Sequence, residues 1–582
     1  MKIIHFIYSF LLISLITYSQ SLQTPFEKTA GKQTATYNEI LLFFKALDRQ
    51  FSDIILIKSD LTDAGVPLTL IVFSKDGRFD PKMWKKEGKL VILINNGIHP
   101  GEPDGIDATM MLMRDLATGK IAIPTNMIIA AIPVYNIGGA LNRNSFSRVN
   151  QQGPESYGFR GNAQNLDLNR DFTKLDSKNA IAFTKIFHYL QPDILIDNHV
   201  SDGADFEYTM TLLSTQHNKL GEPAASLLHK VLEPALNVQM QKANWPMTPY
   251  VNFESGSPNE GWTSFYDAPR YSSGYAALFQ TIGFMPETHM LKPFKQRVEA
   301  TYALMRAMMQ VVAEKHAVIL QTRKEMIQRV MVEKTFTLGW LPDTSYYEMI
   351  PFKGYEAGYK KSGVTGQNRL FYDRNKPVDK LVKYYNKYVA ANQITAPKNY
   401  LLPQGWWAVT DRLKLNNVKM TRLQRDTGLV VECYHINEYS SLKNPYEKHH
   451  KNYNVKVSST IDTVYFRAGD YVIPCNQPAN RYIVEMLEPT GDDSFFAWNF
   501  FDAILQQKEG YSNYRWEDVA ATYLQQNPDL RLRLEDKKKT DPTFAASADA
   551  QLNFVYKNSP WYEPAHLRYP VYRWNPQAII PY

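Results

Sequence analysis

The stretch Leu90-Val-Ile-Leu-Ile-Asn-Asn-Gly-Ile-His99-Pro-Gly-Glu102 decides how the rest of the chain is read. Residues 91–94 form a short, β-branched apolar run, the pattern of a strand buried on both faces. Asn95-Asn96-Gly97 ends that run, and a histidine and a carboxylate then follow three residues apart. Pro100 and Gly101 stand between them, so the segment reads as a tight loop and not as a turn of helix. A loop at the end of a buried strand is anchored yet accessible, which suits a metal site. Imidazole nitrogen and carboxylate oxygen are both good zinc donors. Taken alone, this His-x-x-Glu spacing is common enough to be an ordinary surface loop, so its meaning comes from its surroundings.

Outward from this loop, strands and helices alternate. Before it, the pattern predicts a helix over 36–50 and strands over 54–58 and 68–73. After it come a helix over 104–116, a strand over 127–134, an amphipathic helix over 176–190 and a strand over 192–197 that stops at Asn198-His199. A strand over 209–213, a helix over 223–239 and a long helix or helix pair over 294–329 follow. Short, continuously apolar strands between helices indicate an α/β layer structure with a mostly parallel or mixed central sheet. Ligands in such sheets collect beyond the strand ends, where both His99 and His199 stand. The methionines at 110, 111 and 113 and the histidine at 188 read as helix packing residues.

From about residue 335 the texture changes. Tyr, Trp and Pro become frequent, and short strands are expected at 428–433, 455–457, 463–466 and 470–473, the pattern of a β-sandwich module. Its aromatics read as packing residues before a glycan-binding surface. The final hundred residues hold an aromatic run at 495–501 and helices over 516–526 and 530–538. The expected organisation is a signal peptide (1–19), a catalytic domain (20–334), a β-sandwich-like accessory domain (335–480) and a mixed helical C-terminal segment (481–582).

The 582 residues, 44% hydrophobic and 21% charged, are those of a globular chain of two or three domains. The net charge of +7 is spread along the chain, without the basic stripe and interleaved aromatics that nucleic acid would call for. One lysine precedes an N-terminal apolar run too short to span a membrane, and small residues at Thr17 and Ser19 allow cleavage before Gln20. No later apolar stretch is long enough to span. The expected location is secreted or periplasmic. Cys433 and Cys475 could pair there or stay free, since a chain this large needs no staple.

Two further segments complete the set: Arg160-Gly-Asn162-Ala-Gln-Asn-Leu-Asp167-Leu-Asn169-Arg170 and Asn198-His199. In this order the three segments resemble the zinc metallocarboxypeptidase family of the carboxypeptidase A type, over roughly residues 90–290. The resemblance implies one Zn²⁺ per chain held by His99, Glu102 and His199, with an open position as in catalytic sites. It implies that Asp167 orients the first histidine, that Arg160 stabilises the oxyanion, and that Asn169 and Arg170 bind the carboxylate of a peptide substrate. The general base it implies is Glu287, in Gly283-Phe-Met-Pro-Glu287-Thr-His289. Two features depart from the commonest family pattern: Pro286 and His289 flank that glutamate, and Asn136-Ile-Gly-Gly139 stands where many members carry Asn-Pro-Asp-Gly. For His289 a packing or supporting role is expected over that of ligand or proton shuttle. Glu254 and Glu260 are weaker candidates for the base, and the substrate-capping tyrosine stays open among Tyr266, Tyr271 and Tyr275.

The function expected is that of a secreted exopeptidase removing a C-terminal residue. Two alternatives stay open: a same-fold zinc amidase acting on cell-wall peptides or acylated amino acids, and an inactive peptide-binding protein.

Overall fold

A computed structural model describes residues 22–253 and 257–576. The signal-peptide expectation for 1–19, like Glu254, lies outside the described residues. The body of the molecule is a mixed sheet built from β1 (Ile54–Leu61), β2 (Pro67–Ser74), β3 (Leu90–Asn95), β4 (Met127–Ile132), β5 (Ile194–Asp197), β6 (His199–Ser201), β7 (Met210–Ser214), β8 (Met247–Pro249) and β10 (Ile282–His289); β9 (Trp262–Thr263) belongs elsewhere. The spatial order is β1-β2-β4-β3-β5-β10-β7-β8, with β6 alongside β10. Strands β3, β4, β5 and β10 run parallel to one another, while β1, β2 and β7 join antiparallel. Every residue of β3, β4 and β5 is buried, which is why their sequences carry no polar alternation.

Helices flank this sheet. Helix α1 (Tyr37–Gln50) begins at a reciprocal cap: Thr36 accepts from the Glu39 N–H, and the Glu39 carboxylate accepts from the Thr36 N–H. Helices α2 (Asp104–Ala117), α3 (Lys178–Leu190), α4 (Phe294–Glu314) and α5 (His316–Val332) follow. The helix expected over 223–239 is split into Ala224–Leu227, a wide π turn at Leu228–Leu232, and Glu233–Lys242. Pro234 accounts for this, because its ring excludes the regular turn preceding it.

Beyond residue 334 the strands sort into three further sheets. β11 (Thr335–Pro342) pairs with β14 (Tyr388–Thr395), while β12 (Glu348–Lys361) and β13 (Asn368–Tyr385) form a long ribbon that takes β9 onto its edge. A six-stranded sheet joins β15 (Asn399–Leu402), β16 (Thr421–Arg422), β17 (Thr427–Ser441), β18 (Asn452–Phe466), β19 (Tyr471–Pro474) and β20 (Tyr572–Trp574). Its strand β20 comes from beyond the boundary expected at 480 and lies between β15 and β17. The two segments expected at 455–457 and 463–466 are one strand, β18. The aromatic run at 495–501 folds as turns with Phe495, Phe496, Trp498 and Phe501 fully buried. Cys433 and Cys475 are both free, and burial pushes their thiols up to about 11 and about 12. Among the described residues no helix is long and apolar enough to cross a membrane.

Candidate metal centre and active site

The loop after β3 works because of what its small residues allow. Gly97 turns the chain with φ +62°. At Gly101 an added Cβ would lie 2.7 Å from the Arg148 side chain, so glycine lets Arg148 press against the loop. There its Nη1 lies 3.0 Å from Glu102 Oε1 and offsets the cost of burying that carboxylate. Asn95 and Asn96 do more than end the strand: Asn95 Nδ2 donates to Asp197 Oδ1 (2.9 Å), and Asn96 Oδ1 accepts from Asn198 Nδ2 (2.7 Å). These bonds tie together the strand ends that lead into His99 and His199.

His99, Glu102 and His199 converge, all buried, with one ligand atom from each within 4.8 Å of the others. His99 Nδ1 lies 3.1 Å from Glu102 Oε1 and His199 Nδ1 lies 3.2 Å from Glu102 Oε2. The outer nitrogens are held from behind: His99 Nε2 is 3.0 Å from Asp167 Oδ1, and His199 Nε2 is 3.2 Å from Asp197 Oδ2. Carboxylates in that position fix the tautomer that leaves Nδ1 free as a donor. Burial opposes charge on these groups, yet His99, Arg148 and His199 hold the Glu102 carboxyl well below its usual range. Burial would also lower His199, but Asp197 and Glu102 raise it well above the ordinary histidine value. Two imidazoles with one carboxylate, each imidazole backed by a further carboxylate, fit a metal site.

Glu287 sits on β10 as the register partner of His199 on β6, buried and lining the same cleft. Burial pushes its carboxyl up to about 8, with Glu102 and Asp197 adding and His199 and Arg160 opposing. Arg160 places Nε and Nη2 on Asp167 Oδ2 (3.1 and 2.8 Å), with Nη1 3.4 Å from His99 Nδ1. Asn169 and Arg170 stand in the 3₁₀ turn Leu168–Arg170, started by Asp167 Oδ1 accepting from the Asn169 N–H. Arg170 donates from Nε to Tyr446 Oη (2.8 Å) and from Nη1 to the Asn169 carbonyl (2.9 Å), and its guanidinium lies 4.7 Å over the Tyr271 ring. The buried Oδ1 of Asn169 has no hydrogen-bond partner among the described residues. The cleft, about 440 Å³, is lined by His99, Glu102, Arg160, Asn169, Arg170, His199, Tyr271 and Glu287, together with Leu213, Tyr250, Phe265 and Met285.

Other candidates lie elsewhere. His289 is fully buried, with Nε2 donating to the Ala204 carbonyl (2.9 Å) and its ring edge-on to Phe206. Glu260 is exposed and paired with Lys380. Of the three tyrosines, only Tyr271 lines the cleft; Tyr275 is buried against His188 and Asn416, and Tyr266 stacks on Tyr388. Reading the sequence missed Asp197 and Arg148. Asp197-x-His199 carried a signal for the first, since residues two apart on an extended chain share a face. Arg148 sits in an irregular loop that gave none.

No protein-family model matches the chain. Over 455 residues it is 22% identical to carboxypeptidase 2 of Trichophyton tonsurans, covering 72% of this chain and 78% of that protein. Against carboxypeptidase 2 of Trichophyton rubrum the identity is 21% over 444 residues, 70% of this chain and 73% of the relative. By sequence, this chain is similar to these carboxypeptidases. Among solved structures, carboxypeptidase A of Helicoverpa armigera aligns with 49% of this chain and 74% of its own at 14% identity, with a TM-score of 0.37.

Proposed function

We propose that this chain is an exported zinc exopeptidase that hydrolyses the C-terminal peptide bond of substrates with a free carboxylate. The observation that carries the reading is the convergence, in one cleft, of the buried His99–Glu102–His199 cluster with Glu287 on one side and Asn169 and Arg170 on the other. His99, Glu102 and His199 hold the ion. A zinc ion held there would supply Lewis-acid chemistry. Glu287 is the general base: its carboxylate, buried beside the cluster as the register partner of His199, accepts a proton and returns it to the leaving amine. Arg160, anchored on Asp167, offers Nη1 to the developing oxyanion. Arg170 has Nε and Nη1 engaged within the protein, which leaves Nη2 for the substrate carboxylate, and Asn169 adds its side-chain amide. Export rests on the N-terminal apolar run and its small-residue cleavage site.

The test is release of C-terminal amino acids from a peptide panel, run beside amidated peptides, muropeptides and N-acylated amino acids. Release from free-acid peptides only supports the exopeptidase. Turnover confined to muropeptides or acylated amino acids replaces it with the amidase, and stoichiometric zinc without any turnover replaces it with a binding protein.

A further inference from the structure

The β17–β18 hairpin ends at the site. Its tip is a two-residue turn: Tyr446 and His449 exchange backbone hydrogen bonds (2.8 and 3.1 Å) around Glu447 and Lys448. Both turn residues are left-handed, with φ +47° and +76°. That geometry is the preserve of Asn and Gly, and a glutamate followed by a lysine adopts it only at a steric cost. Strained backbone of this kind persists where the surroundings over-determine it, and it gathers at functional sites.

Here the surroundings are the 167–176 segment. Tyr446 Oη accepts from Arg170 Nε (2.8 Å), Glu447 Oε2 accepts from the Asp167 N–H (2.8 Å), and His449 Nε2 lies 2.7 Å from Asp176 Oδ2. The Tyr446 ring stacks on buried Trp498 at 6.1 Å and 15°, so its hydroxyl is held and not merely in reach. The guanidinium of Arg170 is thereby fixed twice, on its face by Tyr271 and along its edge by Tyr446. Three of the four tip side chains thus spend their polar atoms on the loop that carries Asp167 and Arg170.

We infer that the hairpin tip Tyr446–His449 is a positioning element for the substrate-carboxylate grip, with Tyr446 setting the orientation of Arg170 and Glu447 that of the Asp167–Arg170 turn. This rests on Arg170 gripping the substrate carboxylate. Tyr446 is a positioning residue and touches no reacting atom. Its hydroxyl fixes the guanidinium so that Nη2 meets a carboxylate without first losing its own freedom, which favours binding and leaves the chemical step alone.

The experiment compares full-length Tyr446→Phe, Glu447→Ala, Glu447→Gln and Arg170→Ala with wild type. It measures kcat and KM on a peptide acid, the inhibition constant of the matching peptide amide, zinc content and thermal midpoint. Tyr446→Phe keeps the ring on Trp498 and loses one charge-assisted bond, so KM for the acid should rise roughly tenfold. Its kcat, its affinity for the amide, its zinc content and its thermal midpoint should stay near wild type. Glu447→Ala should show the same split, and Glu447→Gln should restore KM, because a carboxamide oxygen still accepts from the Asp167 N–H. An unchanged KM in Tyr446→Phe, or equal losses on acid and amide, overturns the positioning role if Arg170→Ala is itself selective for the acid. If Arg170→Ala weakens acid and amide alike, the reading of Arg170 fails first and takes the hairpin's role with it.

Discussion

Glu287 and His199 face each other as register partners on neighbouring parallel strands, so one backbone pairing sets the distance between the proposed base and the proposed ligand. Glu287→Gln keeps the size and hydrogen-bonding reach of the side chain but cannot take a proton. Zinc content, read by elemental analysis, should stay at the wild-type level while kcat falls by roughly 10²–10⁴-fold. Loss of the ion would make Glu287 a ligand or a support for one. Near-normal turnover would move the base elsewhere, and Glu260, exposed and paired with Lys380, does not line the cleft. At this scale the sequence told most about residues whose chemistry is rare for their setting, such as a histidine and a glutamate at a buried strand end. It told least about partners brought in from afar. Asn95 and Asn96 read only as strand breakers, and their grip on Asp197 and Asn198 becomes visible once β3 and β5 lie side by side.

At the scale of elements, a buried ion pair joins α2 and α4. Arg297 Nε lies 2.9 Å from Asp104 Oδ2, both side chains are buried, and the same guanidinium donates to the carbonyls of Gln152, Gly153 and Lys292. Arg297→Met would leave Asp104 charged and unpaired in the interior. The expected cost is about 3–5 kcal/mol by denaturant titration, and a loss below about 1 kcal/mol would show that water or Thr288, whose hydroxyl already donates to Asp104 Oδ2, makes up for the lost guanidinium. The buried strands and the amphipathic helices were legible because burial imposes a period on the sequence. β12 and β13 were not. Their ribbon is exposed along most of its length, so Glu348–Lys361 shows no sustained apolar alternation and carries Pro351 and two glycines. The π turn at Leu228–Leu232 was hidden for a different reason, since the apolar pattern continues through it while Pro234 forces the extra residue.

At the scale of the whole molecule, the later strands are fastened to the catalytic body by charge as well as by packing. His229, in the π turn, has Nδ1 3.0 Å from Glu233 and Nε2 2.9 Å from Glu348 at the start of β12, and it stacks on His217 at 4.4 Å. Glu222, Lys230 and Lys387 line the same surface hollow. Glu233 and Glu348 outweigh burial and raise His229 to about 9. A histidine raised in the folded state stabilises fully below its unfolded value near 6.5, and that contribution is lost as pH rises through 9. It amounts to no more than about 3 kcal/mol, reduced by partial exposure to solvent. Denaturant midpoints should therefore fall between pH 6.5 and 9 by more in wild type than in His229→Gln, and parallel profiles would remove His229 from the linkage. The closing of the six-stranded sheet by β20, and the reach of the β17–β18 tip to Arg170, join residues more than a hundred positions apart, and no local pattern announces either. The central claim, that His99, Glu102 and His199 hold a catalytic zinc, is tested most directly by elemental analysis of the full chain beside His199→Ala, with C-terminal release assayed on the same samples. One zinc per wild-type chain, with both zinc and release lost in the variant, is the expected result; full zinc occupancy in His199→Ala would contradict it.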